Sequence, residues 1–148
     1  MSKIGGGMNK PIDTDEDIER IVRLFEACET AKDGFAHREH LVLAVWYLQT
    51  MSVRAATGQI RTSLLRFLDH HQIDRRKYHE TLTVFWVEKV SDCLAALPAG
   101  TSLSEKCNEV LRRLGNKDLV LEFYSPELLW SDAARDSFVI PDKKQWRS

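Results

Sequence analysis

The chain is poor in cysteine, proline and glycine, and it has no long uncharged stretch. Its three cysteines, Cys28, Cys93 and Cys107, are odd in number and far apart, and no Cys-x-x-Cys occurs. A disulfide framework and a zinc ribbon are both disfavoured by that spacing. Each cysteine instead falls at an apolar position of a helical pattern, where it acts as a small hydrophobe. The expected compartment is the reducing cytoplasm. Net charge is -1, which excludes the basic footprint of a nucleic-acid binder. Charges interrupt every apolar segment, so none approaches the roughly 18 uncharged residues of a membrane span. No Gly-rich phosphate loop, Gly-x-Ser-x-Gly or plausible Cys–His couple is present. Nor is there a strand pattern, an internal repeat or an inter-domain linker. Residues 1–8 lack the apolar stretch of a secretory signal. We read residues 1–12 as a flexible lead-in, 13–142 as a single helical domain and 143–148 as a tail.

What is present is helical periodicity, in an otherwise ordinary globular composition of 43% hydrophobic and 29% charged residues. Ile18, Ile21, Val22, Phe25 and Cys28 predict a first helix over 14–30, capped by Asp13 or Thr14. A second, over 36–51, is apolar on nearly every side from Leu41 to Leu48 and should sit centrally. A third, over 53–70, carries the stripe Val53, Ala56, Ile60, Leu64 and Phe67. Gly58 within it costs about 1 kcal/mol of helix propensity and is expected to permit close packing. The longest helix spans 76–97. Ser102 or Ser104 opens a fifth, with Gly115 at its end. A brief helix follows over 119–123, then starts at Ser125-Pro126 and Ser131, and an extended Phe138-Val139-Ile140-Pro141. Phe138 and Ile140 are expected to tack this tail down, with Arg135 and Asp142 paired across it. The fold class is therefore all-α: a four-helix-bundle-like core with an extra helix and a short-helix/extended C-terminal tail packed on it.

The histidines are the unusual feature. All five lie between positions 37 and 79. His37 and His40, spaced i, i+3, share one side of the second helix with Leu41, Ala44, Tyr47, Leu48 and Met51. His79 leads the apolar series Thr83, Trp86, Val90, Cys93 and Leu97. If successive helices are antiparallel, the second and fourth run parallel and their N-terminal ends share one end of the bundle. A joint site is then geometrically allowed. Neutral imidazoles suit zinc or iron, and His37, His40 and His79 would leave one position open for water or substrate. Glu26 is a further candidate ligand, reaching the same end from the first helix. Glu80 lies roughly 100° around the helix from His79 and would orient a ligand or face solvent. Glu80, Tyr78 and Thr83 are the candidate catalytic side chains. The bland reading is that the histidines are satisfied core or helix-end residues. His70 and His71 read as exposed loop residues, Thr81 and Thr83 as bonding back to the preceding turn. Tyr47 and Tyr78 read as core, and Trp46, Trp86, Trp130 and Trp146 as packing.

With these residues assembled, the chain resembles a family of small bacterial helical proteins without an established activity. The resemblance rests on Phe35-x-His37-x-x-His40-Leu41, Tyr78-His79-Glu80-Thr81-x-Thr83 and Tyr124-Ser125-Pro126-Glu127-x-Leu129. The ending Ala134-Arg135-x-x-Phe138-Val139-x-Pro141-Asp142 completes it. It implies that the two histidine stretches and the tail belong together. The chain departs at Lys143-Lys144-Gln145-Trp146, where the family continues with apolar residues, which weighs against docking of the last six. Three functions stay open. The first is a small cytoplasmic metal-binding protein, an enzyme on a small-molecule substrate with zinc or iron held by His37, His40 and His79. The second is a non-enzymatic helical module that binds a small ligand or a protein, with the histidines as polar lining. The third uses the histidines as general acid and base without metal.

Overall fold

The computed structural model describes residues 12–145. Most of the lead-in and Trp146 lie outside the described residues. The regular elements of the described chain are all helices, without a strand. Its elements are α1 (Asp15–Glu26), α2 (His37–Leu48), α3 (Val53–His70), α4 (Glu80–Ala95), α5 (Leu103–Leu114), α6 (Pro126–Leu129) and α7 (Asp132–Asp136). Two 3-10 helices, Arg75–Lys77 and Lys117–Glu122, precede α4 and α6. No helix among the described residues is long and apolar enough to cross a membrane.

Local chemistry sets the helix limits. Thr14 Oγ1 accepts the Asp17 N–H at 3.1 Å while the Asp17 carboxylate accepts the Thr14 N–H at 3.0 Å, a reciprocal cap that starts α1. The helix ends at Glu26, earlier than the periodicity predicts, because Cys28 turns left-handed at φ 59°. The Glu29 N–H then folds back to the Leu24 carbonyl at 2.8 Å and closes the last turn. Cys28 is consequently half-buried rather than part of the core. Ser52, Ser102, Ser125 and Ser131 each cap the helix that follows them. Gly115 closes α5 at an ordinary φ of -69°, and a Cβ there would collide with the Leu111 carbonyl oxygen. Gly58 does not serve close packing: the nearest atom to an added Cβ is Arg61 Nη1 at 3.9 Å.

The four-helix core with an additional helix takes a specific form. Helix α2 packs against α1, α3, α4 and α5, and those four touch one another in the closed order α1–α3–α4–α5. The apolar second helix is thus the axis of the domain. Leu41, Val42, Leu43, Ala44 and Val45, five consecutive residues, are all fully buried. A helix enclosed on all sides needs no polar face, so its lack of amphipathicity follows from its place.

The tail is held by hydrogen bonds more than by the side chains expected to anchor it. Ile140 is 76% exposed and Phe138 lies at the surface. In their place Thr81 Oγ1 donates to the Ser137 carbonyl at 3.0 Å and accepts the Val139 N–H at 3.1 Å. Tyr124 Oη donates to the Val139 carbonyl at 2.6 Å. Asp142 does not pair with Arg135. Its carboxylate accepts from the Ser125 N–H at 2.8 Å and the Ser125 hydroxyl at 2.7 Å. These bonds hold its carboxyl below the usual aspartate value. Lys143, expected to be loose, docks through its N–H to the Phe123 carbonyl at 2.9 Å and its Nζ to the Leu121 carbonyl at 2.8 Å.

Candidate functional site

A cavity of about 470 Å³ opens beside the first turn of α2. Its walls come from Phe35, Ala36, His37 and His40 at the start of α2, and from Leu82 and Trp86 in the first half of α4. The 3-10 helix contributes Lys117, Asp118, Val120 and Leu121, and Trp130 stands at the edge between α6 and α7. The beginnings of α2 and α4 therefore meet on one cavity.

Two of the three predicted histidines line it. His37 lies edge-on to Trp86 with ring centroids 4.3 Å apart, and its Nε2 meets the Leu114 carbonyl at 2.8 Å. That carbonyl is at the C-terminus of α5, where acceptors are left over from the helix ladder. The Nε2 bond keeps the proton on that nitrogen and leaves Nδ1 with its lone pair. His40 is only 9% exposed, and its Nε2 finds no hydrogen-bond partner among the described residues. Burial, reinforced by the neighbouring His37, pushes its pKa down to about 4. Burial likewise holds His37 below the ordinary 6.5, opposed by the Leu114 carbonyl and assisted by the Lys117 charge. Both rings are neutral at pH 7, which suits acceptors and metal donors and disfavours a general acid.

His79 takes a different position from the one its spacing suggests. The predicted long helix is split, and His79 is the extended N-cap of α4 (φ -135°, ψ 104°) instead of a residue within it. Its Nδ1 accepts the Leu82 N–H at 3.1 Å and its Nε2 donates to the Leu129 carbonyl at 2.7 Å. With both nitrogens used, the ring is a bracket between α4 and α6. Its pKa is lowered, chiefly by burial. Leu129 precedes Trp130, whose ring lies edge-on to His79 at 5.6 Å and beneath the Arg135 guanidinium at 5.7 Å. His79 thus reaches the cavity only through the residue it positions.

The remaining candidates are spent elsewhere. Glu26 accepts from the buried Tyr47 hydroxyl, across α1 and α2. Glu80 binds α3, receiving both Arg61 Nε at 2.9 Å and Nη2 at 2.6 Å. It also accepts the Tyr78 hydroxyl at 2.6 Å. Burial opposes ionisation of Glu80, and these donors outweigh it, so its carboxyl sits below the usual value. It neither faces open solvent nor orients a histidine. Thr83 bonds back to the His79 carbonyl at 3.0 Å as its helical position predicts, whereas Thr81 clasps the tail. His71 is not a free loop residue: its Nε2 meets the Thr30 carbonyl at 3.0 Å and its ring packs on Phe67. His70 is exposed at the end of α3. Among the described residues, no group of three or more His, Cys, Asp or Glu side chains is gathered as a metal site requires.

Trp86, Trp130, Lys117 and Asp118 are the lining residues that sequence reasoning missed. Trp86 sits on an apolar helical stripe and looks like any core aromatic. Trp130 carried a signal, because it falls between two Ser-capped helix starts and no helical face claims it. Lys117 and Asp118 lie in a short polar link and have no sequence mark. Comparison with known proteins found no match among protein-family models, curated proteins or solved structures.

Proposed function

We propose that this protein is a small-ligand-binding helical module whose site is the cavity over His37 and His40. The observation that carries the reading is the sealed, partnerless Nε2 of His40 in the cavity wall. A buried polar atom without a partner costs about 1–3 kcal/mol, a cost removed by a ligand that offers a hydrogen-bonding atom there. The surrounding wall is mainly apolar and aromatic, as small-molecule sites are. Free Cys28, Cys93 and Cys107 support a reducing, cytoplasmic setting.

A metal-bearing form of the same site is the second reading. His37 donates Nε2–H to a backbone carbonyl, the arrangement that commonly orients a ligating imidazole through its other nitrogen. Since His79 and Glu26 are bound elsewhere, zinc or iron would take His37 and His40 from the protein and further donors from a small-molecule substrate.

The test is an NMR screen of the full chain, purified without a histidine tag, against small aromatic and aliphatic fragments. Hits should shift the signals of His37, His40, Trp86 and Trp130. They should lose binding at least tenfold in Leu82→Trp, which fills the cavity from its wall. Hits that bind Leu82→Trp unchanged, or no hits at millimolar concentration, would sink the binding reading. Elemental analysis of the same preparation addresses the second reading. Stoichiometric zinc or iron should vanish in His37→Ala and His40→Ala, and metal retained by both variants overturns it.

A further inference from the structure

The wall of the cavity carries two charges of opposite sign. Lys117 and Asp118 both line it, so the wall offers a ligand no net charge. His37 and His40 add none, because burial keeps both rings neutral at pH 7. Geometry singles out a different polar atom. A carbonyl oxygen can only accept, so the 2.8 Å contact with Leu114 fixes the His37 proton on Nε2 and makes Nδ1 an acceptor. Nδ1 has no partner among the described residues, and unlike His40 Nε2 it is not sealed off. The wall around it is aromatic. Trp86 meets the His37 ring edge-on with centroids 4.3 Å apart, and Phe35 precedes it on the chain side of α2. Trp130, at the cavity edge, is 50% exposed, whereas tryptophan is on average a highly buried residue.

Resting on the binding reading above, we propose that the cavity takes a small, neutral aromatic molecule whose ring carries an N–H or O–H donor, given to His37 Nδ1. The volume of about 470 Å³ admits a molecule of one or two rings. A flat ring covers the apolar surface that Trp130 leaves to water, and offset or edge contacts with aromatic walls favour it over a flexible chain. The polar selection is made at one atom. A lone pair repels a carboxylate and has nothing to accept from a donor-free ring, so the site prefers the ring that donates. A charged ligand of either sign meets its own sign at Lys117 or at Asp118. The ligand is bound and not transformed.

Calorimetry and NMR on the full chain with indole, 1-methylindole and 1-benzofuran provide the test. The three share a fused-ring shape, and only indole donates a hydrogen bond. Indole should bind about three- to tenfold more tightly than either of the others, the ratio that one hydrogen bond supplies. The nitrogen-15 signal of His37 Nδ1 should move upfield when indole binds and stay in place with 1-benzofuran. His37→Phe keeps a ring and removes the acceptor, and should bring indole to within about twofold of 1-benzofuran. Should that variant fail to fold, the probe series and the Nδ1 signal of the parent chain decide by themselves. Equal affinities for the three probes, or an Nδ1 signal unmoved by bound indole, overturns the donor inference while the cavity reading stands. A folded His37→Phe that keeps the advantage of indole does the same. Failure of all three probes, with an empty fragment screen, overturns both.

Discussion

His40 is the residue at which stability and the proposed binding role oppose each other. In the folded chain its imidazole is held neutral with a pKa of about 4, against an ordinary 6.5. The unfolded chain therefore binds the extra proton first. Stability is complete above pH 6.5 and falls as the pH drops toward 4, by roughly 3 kcal/mol from this residue alone. His37 and His79, also lowered by burial, act in the same direction. Replacing His40 by leucine removes both the proton and the partnerless nitrogen. In urea denaturation, His40→Leu should be as stable as the parent at pH 7.5, or up to about 1 kcal/mol more stable. It should also lose less stability at pH 4.5. A variant destabilised by more than about 2 kcal/mol at pH 7.5 would mean that the nitrogen has a structural partner, contrary to the binding proposal.

At the scale of elements, every helix start but that of α2 carries a side-chain cap, and one helix interior contains a residue that nothing requires. Gly58 lies in the middle of α3 with open space where its Cβ would be. Its nearest such neighbour is the far end of the Arg61 side chain at 3.9 Å, so alanine fits without displacement. Gly58→Ala should raise stability by about 0.5–1 kcal/mol, seen as an increased urea midpoint with an unchanged slope. No gain would indicate a packing role for the glycine. Helix α4 shows the opposite case, where an expected element is divided. A periodic pattern runs through Tyr78 and His79 without a break, but the Leu82 N–H takes the His79 ring as its cap and the helix begins at Glu80. Histidine is an uncommon N-cap, so the usual Ser, Thr, Asp and Asn signals gave no warning of it. That one misplacement changed His79 from a candidate ligand into a bracket.

At the scale of the whole fold, the described residues form a central apolar helix ringed by four others, with the C-terminal segment laid across α4. The binding of that segment rests on Thr81, a buried hydroxyl that serves both the Ser137 carbonyl and the Val139 N–H. Thr81→Val keeps the shape and removes both bonds. It should cost roughly 2 kcal/mol and speed amide hydrogen exchange over 137–143 before the core opens. Ile140→Ser, at a residue far more exposed, should change stability by less than about 0.5 kcal/mol. Equal losses in the two variants would restore the side-chain anchoring that Phe138 and Ile140 suggest.

The sequence by itself determined the all-α class, the central second helix, the helix starts at serine and the placing of His37 and His40 one turn apart on the second helix. All of these depend on local spacing: apolar period, cap chemistry and residues one turn apart. The tertiary structure alone decided that His79, Glu26 and Glu80 bind other helices. It also decided that Lys117 and Trp130 complete the wall and that Asp142 holds Ser125 instead of Arg135. The polar outcomes turn on a few hydrogen bonds between groups up to 50 residues apart, such as His79 to Leu129, and the wall on which elements pack beside it. Periodicity shows which face of a helix is buried, but the partner that a polar atom meets there depends on which elements come to lie against that face.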